Sequence, residues 1–132
     1  MLRLFVDTSA WFALANRDDP EHKAVAALLA KTRHRLVTSN FILDETATLC
    51  LYRLGHAVAE KVGRVLLDSE HVDLLRVTPD DENAAWELFC KRRDQTYSFT
   101  DCTSFVIMRR LAITTVAALD EDFASERFER VP

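Results

Sequence analysis

Four short runs of β-branched and aliphatic residues recur along the chain: LRLFV at 2–6, RLVTSN at 35–40, VDLLRV at 72–77 and AITTVAAL at 112–119. Each gap between them holds at least one stretch with helical periodicity. This alternation narrows the fold more than any other feature. Strands that are apolar on consecutive residues are buried on both faces, and parallel neighbours need crossovers of a dozen or more residues, as these gaps provide. The pattern therefore predicts an α/β fold with a mainly parallel sheet and helices on both of its faces. RFERV at 127–131 reads as a short edge strand. With 132 residues, 48% of them hydrophobic, the chain holds enough apolar material for one core, and a single domain over 1–132 is expected.

Punctuation residues set the helices. DTSAWFALAN turns helical after the first strand, with Thr8 or Ser9 able to cap it, and Asp19-Pro20-Glu21 starts a second helix that runs to about Lys31. Ser39 or Asn40 caps a helix over 41–54, which Gly55 closes, and 56–69 continues as another. Thr78-Pro79-Asp80 opens a helix that ends in Lys91, Arg92 and Arg93, and 99–111 forms the last long one.

Several chemistries are excluded early. A net charge of −4 with 29% charged residues argues against a surface that holds nucleic acid by bulk positive charge, so a polyanionic partner needs local arginines or a metal. The longest apolar run, AVAALLA at 24–30, falls far short of the roughly 18–20 residues of a membrane span. MLRLFVDTSAW lacks the features of a secretory signal, and a cytoplasmic location is expected. Cys50, Cys90 and Cys102 form no C-x-x-C pair and read as reduced, mostly buried thiols. The only glycines, Gly55 and Gly63, build no phosphate-cradling loop. His22, His34, His56 and His71 show no zinc spacing, and no G-x-S-x-G elbow presents a nucleophile.

The acids remain. Asp18, Asp19, Glu21, Asp80, Asp81 and Glu82 sit at helix starts, where a solvated first-turn role explains them. Four others do not reduce so simply. Asp7 and Asp120 each end an apolar strand, where a turn or cap is the plain alternative. Glu45, in NFILDETATLCLYRL, lies on the helical wheel between Phe41 and Tyr52 on one side and Leu49 on the other, whereas Asp44 falls nearer Thr48. Asp101, in SFTDCTSFVIMRR, completes a capping-box pattern with Ser98 yet shares its row with Phe105, Met108 and Ala112. Carboxylates drawn together at one sheet edge repel unless something positive neutralises them, and oxygen ligands without sulfur or imidazole select Mg²⁺ or Mn²⁺. Such a site suits phosphate-ester chemistry.

The blocks LFVDTSAWFAL, SNFILDETATLCLYRLG, YSFTDCTSFVIMRR and AALDEDF resemble, in order and spacing over essentially the whole chain, the signature blocks of PIN-domain proteins, in particular VapC-like toxins of toxin–antitoxin pairs. The resemblance implies a three-layer α/β/α fold, a Mg²⁺- or Mn²⁺-dependent endoribonuclease leaving a 5′-phosphate, a homodimer, and a small antitoxin that blocks the site. Carried over by position, Asp7, Glu45 and Asp101 match the three most dependable acids and Asp120 the fourth, with Asp122 as its alternative in ALDEDF. Thr8 or Ser9 is the hydroxyl beside the first acid. Lys91, Arg92, Arg93, Arg109 and Arg110 are candidates for the RNA backbone. The helices at 41–54 and 56–69 offer apolar surface to a second copy or an antitoxin. Two other readings stand beside this one: a catalytically inactive scaffold of the same fold, and a receiver-like domain. The second is weak because Thr8 follows Asp7 and Glu121 follows Asp120, where paired acids and a lysine belong.

Overall fold

The computed structural model describes residues 2–132. The chain runs β1 (Arg3–Val6), α1 (Thr8–Ala15), α2 (His22–Lys31), β2 (Arg35–Ser39), α3 (Asn40–Leu54), α4 (His56–Asp68), β3 (Val72–Leu75), α5 (Pro79–Lys91), α6 (Phe99–Arg110), β4 (Thr115–Ala117), α7 (Asp122–Ser125) and β5 (Glu129–Val131). The strands form one sheet in the order β3-β2-β1-β4-β5, and every pairing is parallel. At its centre Phe5 lies between Val37 of β2 and Val116 of β4. Leu4, Phe5 and Val6 are fully buried, as strands covered on both faces must be.

Strand order decides where a site can form. From β1 the chain moves outward to β2 and β3, then returns across the sheet to pair β4 with the other side of β1. Connections therefore diverge from the carboxyl ends of β1 and β4, and a crevice opens at such a switch point. Helices α1 to α4 pack among themselves, α5 packs on α6, and α3 meets α6. That meeting brings the acids of two distant helices to the same place.

Local chemistry explains most element ends. The Ser39 hydroxyl accepts from the Ile42 N–H at 3.1 Å and starts α3. Gly55, at φ 96°, separates α3 from α4 in a conformation that costs other residues more. Reciprocal capping boxes open α5 (Thr78 with Asp81) and α6 (Ser98 with Asp101). A buried polar chain crosses the core, in which the Trp11 indole N–H donates to the Thr38 hydroxyl at 3.2 Å and that hydroxyl donates to the Val6 carbonyl at 3.0 Å.

Some boundaries differ from the sequence expectation. Asp7, rather than Thr8 or Ser9, caps α1. Helix α2 starts at His22, because the Asp19 side chain accepts from the Glu21 N–H at 2.8 Å and folds the Asp-Pro-Glu segment into a turn first. Ala112 sits at φ 55° in the turn that ends α6, so β4 occupies only Thr115–Ala117. The short helix α7 carried no sequence signal long enough to predict it.

Candidate active site

Asp7 is the first residue beyond β1. Its backbone N–H donates to the Ala117 carbonyl at 3.0 Å, which ties the end of β1 to the end of β4. Oδ2 accepts from the Ser9 N–H at 3.2 Å and from the Ser9 hydroxyl at 2.7 Å, and Ser9 Oγ accepts in turn from the Leu119 N–H at 3.1 Å. Ser9 thus couples the first acid to the turn that carries Asp120. Oδ1 of Asp7 is buried without a partner, as is Oγ1 of the adjacent Thr8. Burial pushes the Asp7 pKa up to about 7; the Ser9 hydroxyl opposes the shift, and the charges of Asp101 and Asp120 add to it.

Asp101 stands one turn into α6, half-buried. Its Oδ2 accepts from the Ser98 N–H at 3.0 Å while the Ser98 hydroxyl accepts from the Asp101 N–H at 3.0 Å. The capping box accounts for one carboxylate oxygen; among the described residues Oδ1 has no hydrogen bond. Phe105 and Met108 in the same row are fully buried, so this acid lies on the inward side of its helix. Burial raises the Asp101 pKa to about 6 against the Ser98 N–H, and the charges of Glu45, Asp120 and Asp122 raise it further.

Glu45, half-buried on α3, makes no hydrogen bond or ion pair among the described residues, whereas Asp44 is exposed. The expected flank of Glu45 is corrected on one side, since Tyr52 is 81% exposed and lies away from the core. Asp120 is exposed in the turn after β4, where its Oδ1 accepts from the Asp122 N–H at 3.1 Å. Asp122 is half-buried at the start of α7, and its pKa is raised by burial and by the charge of Asp120. Asp120 acts on both Asp7 and Asp101, and Asp122 also acts on Asp101.

Asp7, Glu45, Asp101, Asp120 and Asp122, from four places in the sequence, lie near enough for each to feel or raise the charge of another, and among the described residues none is paired with an arginine or lysine. Nor do three acidic, histidine or cysteine groups already close on one point as a finished cage among those residues. The site is an open cluster of hard oxygens, in which Asp7, Asp101 and Asp120 each give one oxygen to local structure and leave the other free. A buried, unpartnered carboxylate oxygen surrounded by like charge fits a small divalent cation, and Mg²⁺ takes one or two direct carboxylates and keeps several waters.

The basic candidates are less free than the sequence suggests. Arg92 and Arg109 both bind Glu126, at 2.9 Å each, and Arg110 binds Asp81 at 2.8 Å. Asp81 is consequently 2% exposed, not a solvated first-turn acid. Lys91 and Arg93 remain exposed and without an ion pair among the described residues. Glu126 was missed: it is 6% exposed, receives the Tyr97 hydroxyl at 3.0 Å besides the two arginines, and fixes the end of α7 against α5 and α6. Nothing in its local sequence marks it, because its partners lie 17 to 34 residues away.

An all-parallel sheet with acids at its switch point is shared by several α/β families, and the match of residues 4–128 to the PIN domain decides among them: the chain belongs to the PIN-domain family. Within it the chain is similar to the VapC toxins. It is 40% identical over 128 residues, 97% of either chain, to the 23S rRNA-specific endonuclease VapC20 from two strains of Mycobacterium tuberculosis. The crystal structure of Mycobacterium tuberculosis VapC20, a sarcin–ricin loop cleaving toxin, matches with a TM-score of 0.91 and 39% identity over 95% of each chain.

Proposed function

We propose that this chain is a divalent-cation-dependent endoribonuclease that hydrolyses RNA phosphodiester bonds and serves as the toxin of a toxin–antitoxin pair. One observation carries the reading: Asp7 is buried with an unpartnered oxygen and faces the charges of Asp101 and Asp120, with no cation paired to it among the described residues. The likeness to an rRNA endonuclease over 97% of the chain supports it.

Asp7, Glu45, Asp101 and Asp120 would hold Mg²⁺ or Mn²⁺, with Asp122 supporting from the rim. When bound, such an ion neutralises the acids, polarises the phosphoryl oxygen and makes water a better nucleophile. The chain's own groups do the rest. Ser9 holds the Asp7 carboxylate in one orientation and ties it to the Asp120 turn. Thr8 places a buried hydroxyl beside the same acid. Ser98 fixes Asp101, so its free oxygen is presented without rotamer loss. Glu45, with no hydrogen bond among the described residues, adds a carboxylate with both oxygens available to that set. In-line attack on phosphorus breaks the bond to the 3′ oxygen, leaving a 5′-phosphate and a 3′-hydroxyl.

The 1–132 domain acts as one unit in the cytoplasm; no helix among the described residues is long and apolar enough to cross a membrane. Exposed Leu51 on α3 and Val65 and Leu67 on α4 suit apolar contact with a second copy in a homodimer or with a small antitoxin. The substrate to test first is the sarcin–ricin loop of 23S rRNA, the target of the relative. Purified protein should cut that RNA in Mg²⁺ or Mn²⁺, lose the activity on chelation, and lose at least ~100-fold in rate in Asp7→Asn. Cleavage that survives both changes would refute the assignment.

A further inference from the structure

Four aromatic rings lead outward from the acids. Phe41 lies one turn before Glu45 on α3, and Phe99 two residues before Asp101 on α6; their centroids are 6.0 Å apart. Trp86 of α5 meets Phe99 edge-on at 6.2 Å and stacks on Phe89 at 5.3 Å with an interplanar angle of 14°. The inner pair is half-buried, whereas Trp86 is 57% and Phe89 39% exposed. Leaving a parallel aromatic pair in water is unusual for a helix that has a core to face.

The cleft beside that pair joins aromatic surface to polar and cationic groups. Trp86 and Phe89 border a cleft of about 520 Å³ shared with Arg93, Gln95 and Thr96 of the loop that leads into α6. Of the five basic residues expected to meet RNA, three are committed to Glu126 and Asp81; of the two left over, Arg93 lines the cleft, whereas Lys91, two residues past Phe89, falls on the opposite side of α5. On a chain of net charge −4 an anionic strand here meets a cation without an ion pair, Arg93, next to an aromatic plate.

We propose that Trp86 and Phe89 form a stacking platform for one unpaired base of the RNA, with Arg93 meeting a flanking phosphate. The inference rests on the ribonuclease reading and adds a substrate-selecting subsite to it. Every base offers a π-face, so the platform selects unstacked, single-stranded nucleotides rather than a sequence. It holds a splayed base at the outer end of the aromatic strip while the strand's backbone lies toward the acids.

Trp86 can be read directly, because the chain's other tryptophan, Trp11, is 2% exposed and bonded to Thr38. In an Asp7→Asn background, titration with single-stranded oligo(A) RNA should quench Trp86 emission and shield it from acrylamide, and a fully paired duplex should do so much less. Trp86→Ala should weaken oligo(A) binding about tenfold, the scale of one stacked base. Trp86→Phe should restore most of that affinity, and Trp86→Leu, which keeps apolar bulk without a π-face, should not. With the native acids, Trp86→Ala should raise KM about tenfold and affect kcat far less.

Unchanged RNA affinity in Trp86→Ala, with a lower mass by sedimentation, would overturn the proposal and assign this face to a second copy of the chain. A fall in kcat without a change in KM would also overturn it, reducing Trp86 to a support for Phe99. If the native protein cut no RNA yet oligo(A) still quenched Trp86 with the Phe and Leu pattern above, the nuclease reading would fail and the platform would stand.

Discussion

Asp7 carries two opposed demands. Its carboxylate is buried and repelled by Asp101 and Asp120, which holds its pKa up near 7. A raised acid pKa means that stability falls as pH rises from the unfolded value of 3.8 to about 7 and stays at the lower level beyond, so in metal-free protein the charge at pH 8 is a liability. Asp7→Asn is therefore expected to raise the thermal midpoint of metal-free protein at pH 8 while abolishing cleavage; a lowered midpoint would mean that the carboxylate is structurally required. At this scale the sequence was informative where an acid interrupted an apolar row. Asp101 stood out against Phe105 and Met108, and Asp7 against the strand before it. The wheel failed for Tyr52, because α3 turns that side to solvent near its C-terminal end. Glu126 and Asp81 were illegible as buried acids, since both owe their burial to arginines far away in the chain.

Two small elements hold the cluster in place. Helix α7 has four residues and cannot be stable alone. What anchors it is Glu126, where burial alone would raise the pKa but the bonds from Arg92, Arg109 and Tyr97 outweigh it and bring the value down to about 2 from 4.5. A depressed acid pKa contributes stability that is complete above the unfolded value and is lost as pH falls through the folded one. Wild-type stability should accordingly drop between about pH 4.5 and pH 2 more steeply than that of Glu126→Gln. At neutral pH the same variant should unfold about 3 kcal/mol more easily in denaturant, because two guanidinium groups lose their buried partner. A cost below about 0.5 kcal/mol would show that solvent already screens the half-exposed arginines. At the head of α6, Ser98→Ala removes the hydroxyl that accepts from the Asp101 N–H, about 1 kcal/mol of stability, but keeps the Ser98 backbone N–H that holds the Asp101 carboxylate. Thermal stability should fall by that amount while kcat, measured under conditions where the variant is fully folded, stays close to wild type; a large loss of kcat would show that the hydroxyl itself positions Asp101. Capping boxes and Gly55 were readable because they are written in adjacent residues. The start of α2 and the existence of α7 were not, because an Asx turn overrode one and tertiary anchoring creates the other.

For the molecule as a whole, the alternation of strands and helices carried the mainly parallel architecture, and RFERV the short edge strand, whose parallel pairing with β4 is seen only in the structure. Strand order did not follow from it, and strand order is what sets Asp7 and Asp120 on neighbouring strand ends and draws α3 to α6. The sheet, the capped helices and the Glu126 anchor together impose a concentration of negative charge that folding alone does not favour. The central claim is that this cost is retained for a cation. Isothermal titration of Mn²⁺ into metal-free protein at pH 7.5 tests it most directly. The account predicts saturable binding at one or two sites, with release of protons from the acids whose pKa values burial has raised, and loss of that binding in Asp7→Asn. Heats no greater than dilution in the native protein, or equal binding in the variant, would contradict it.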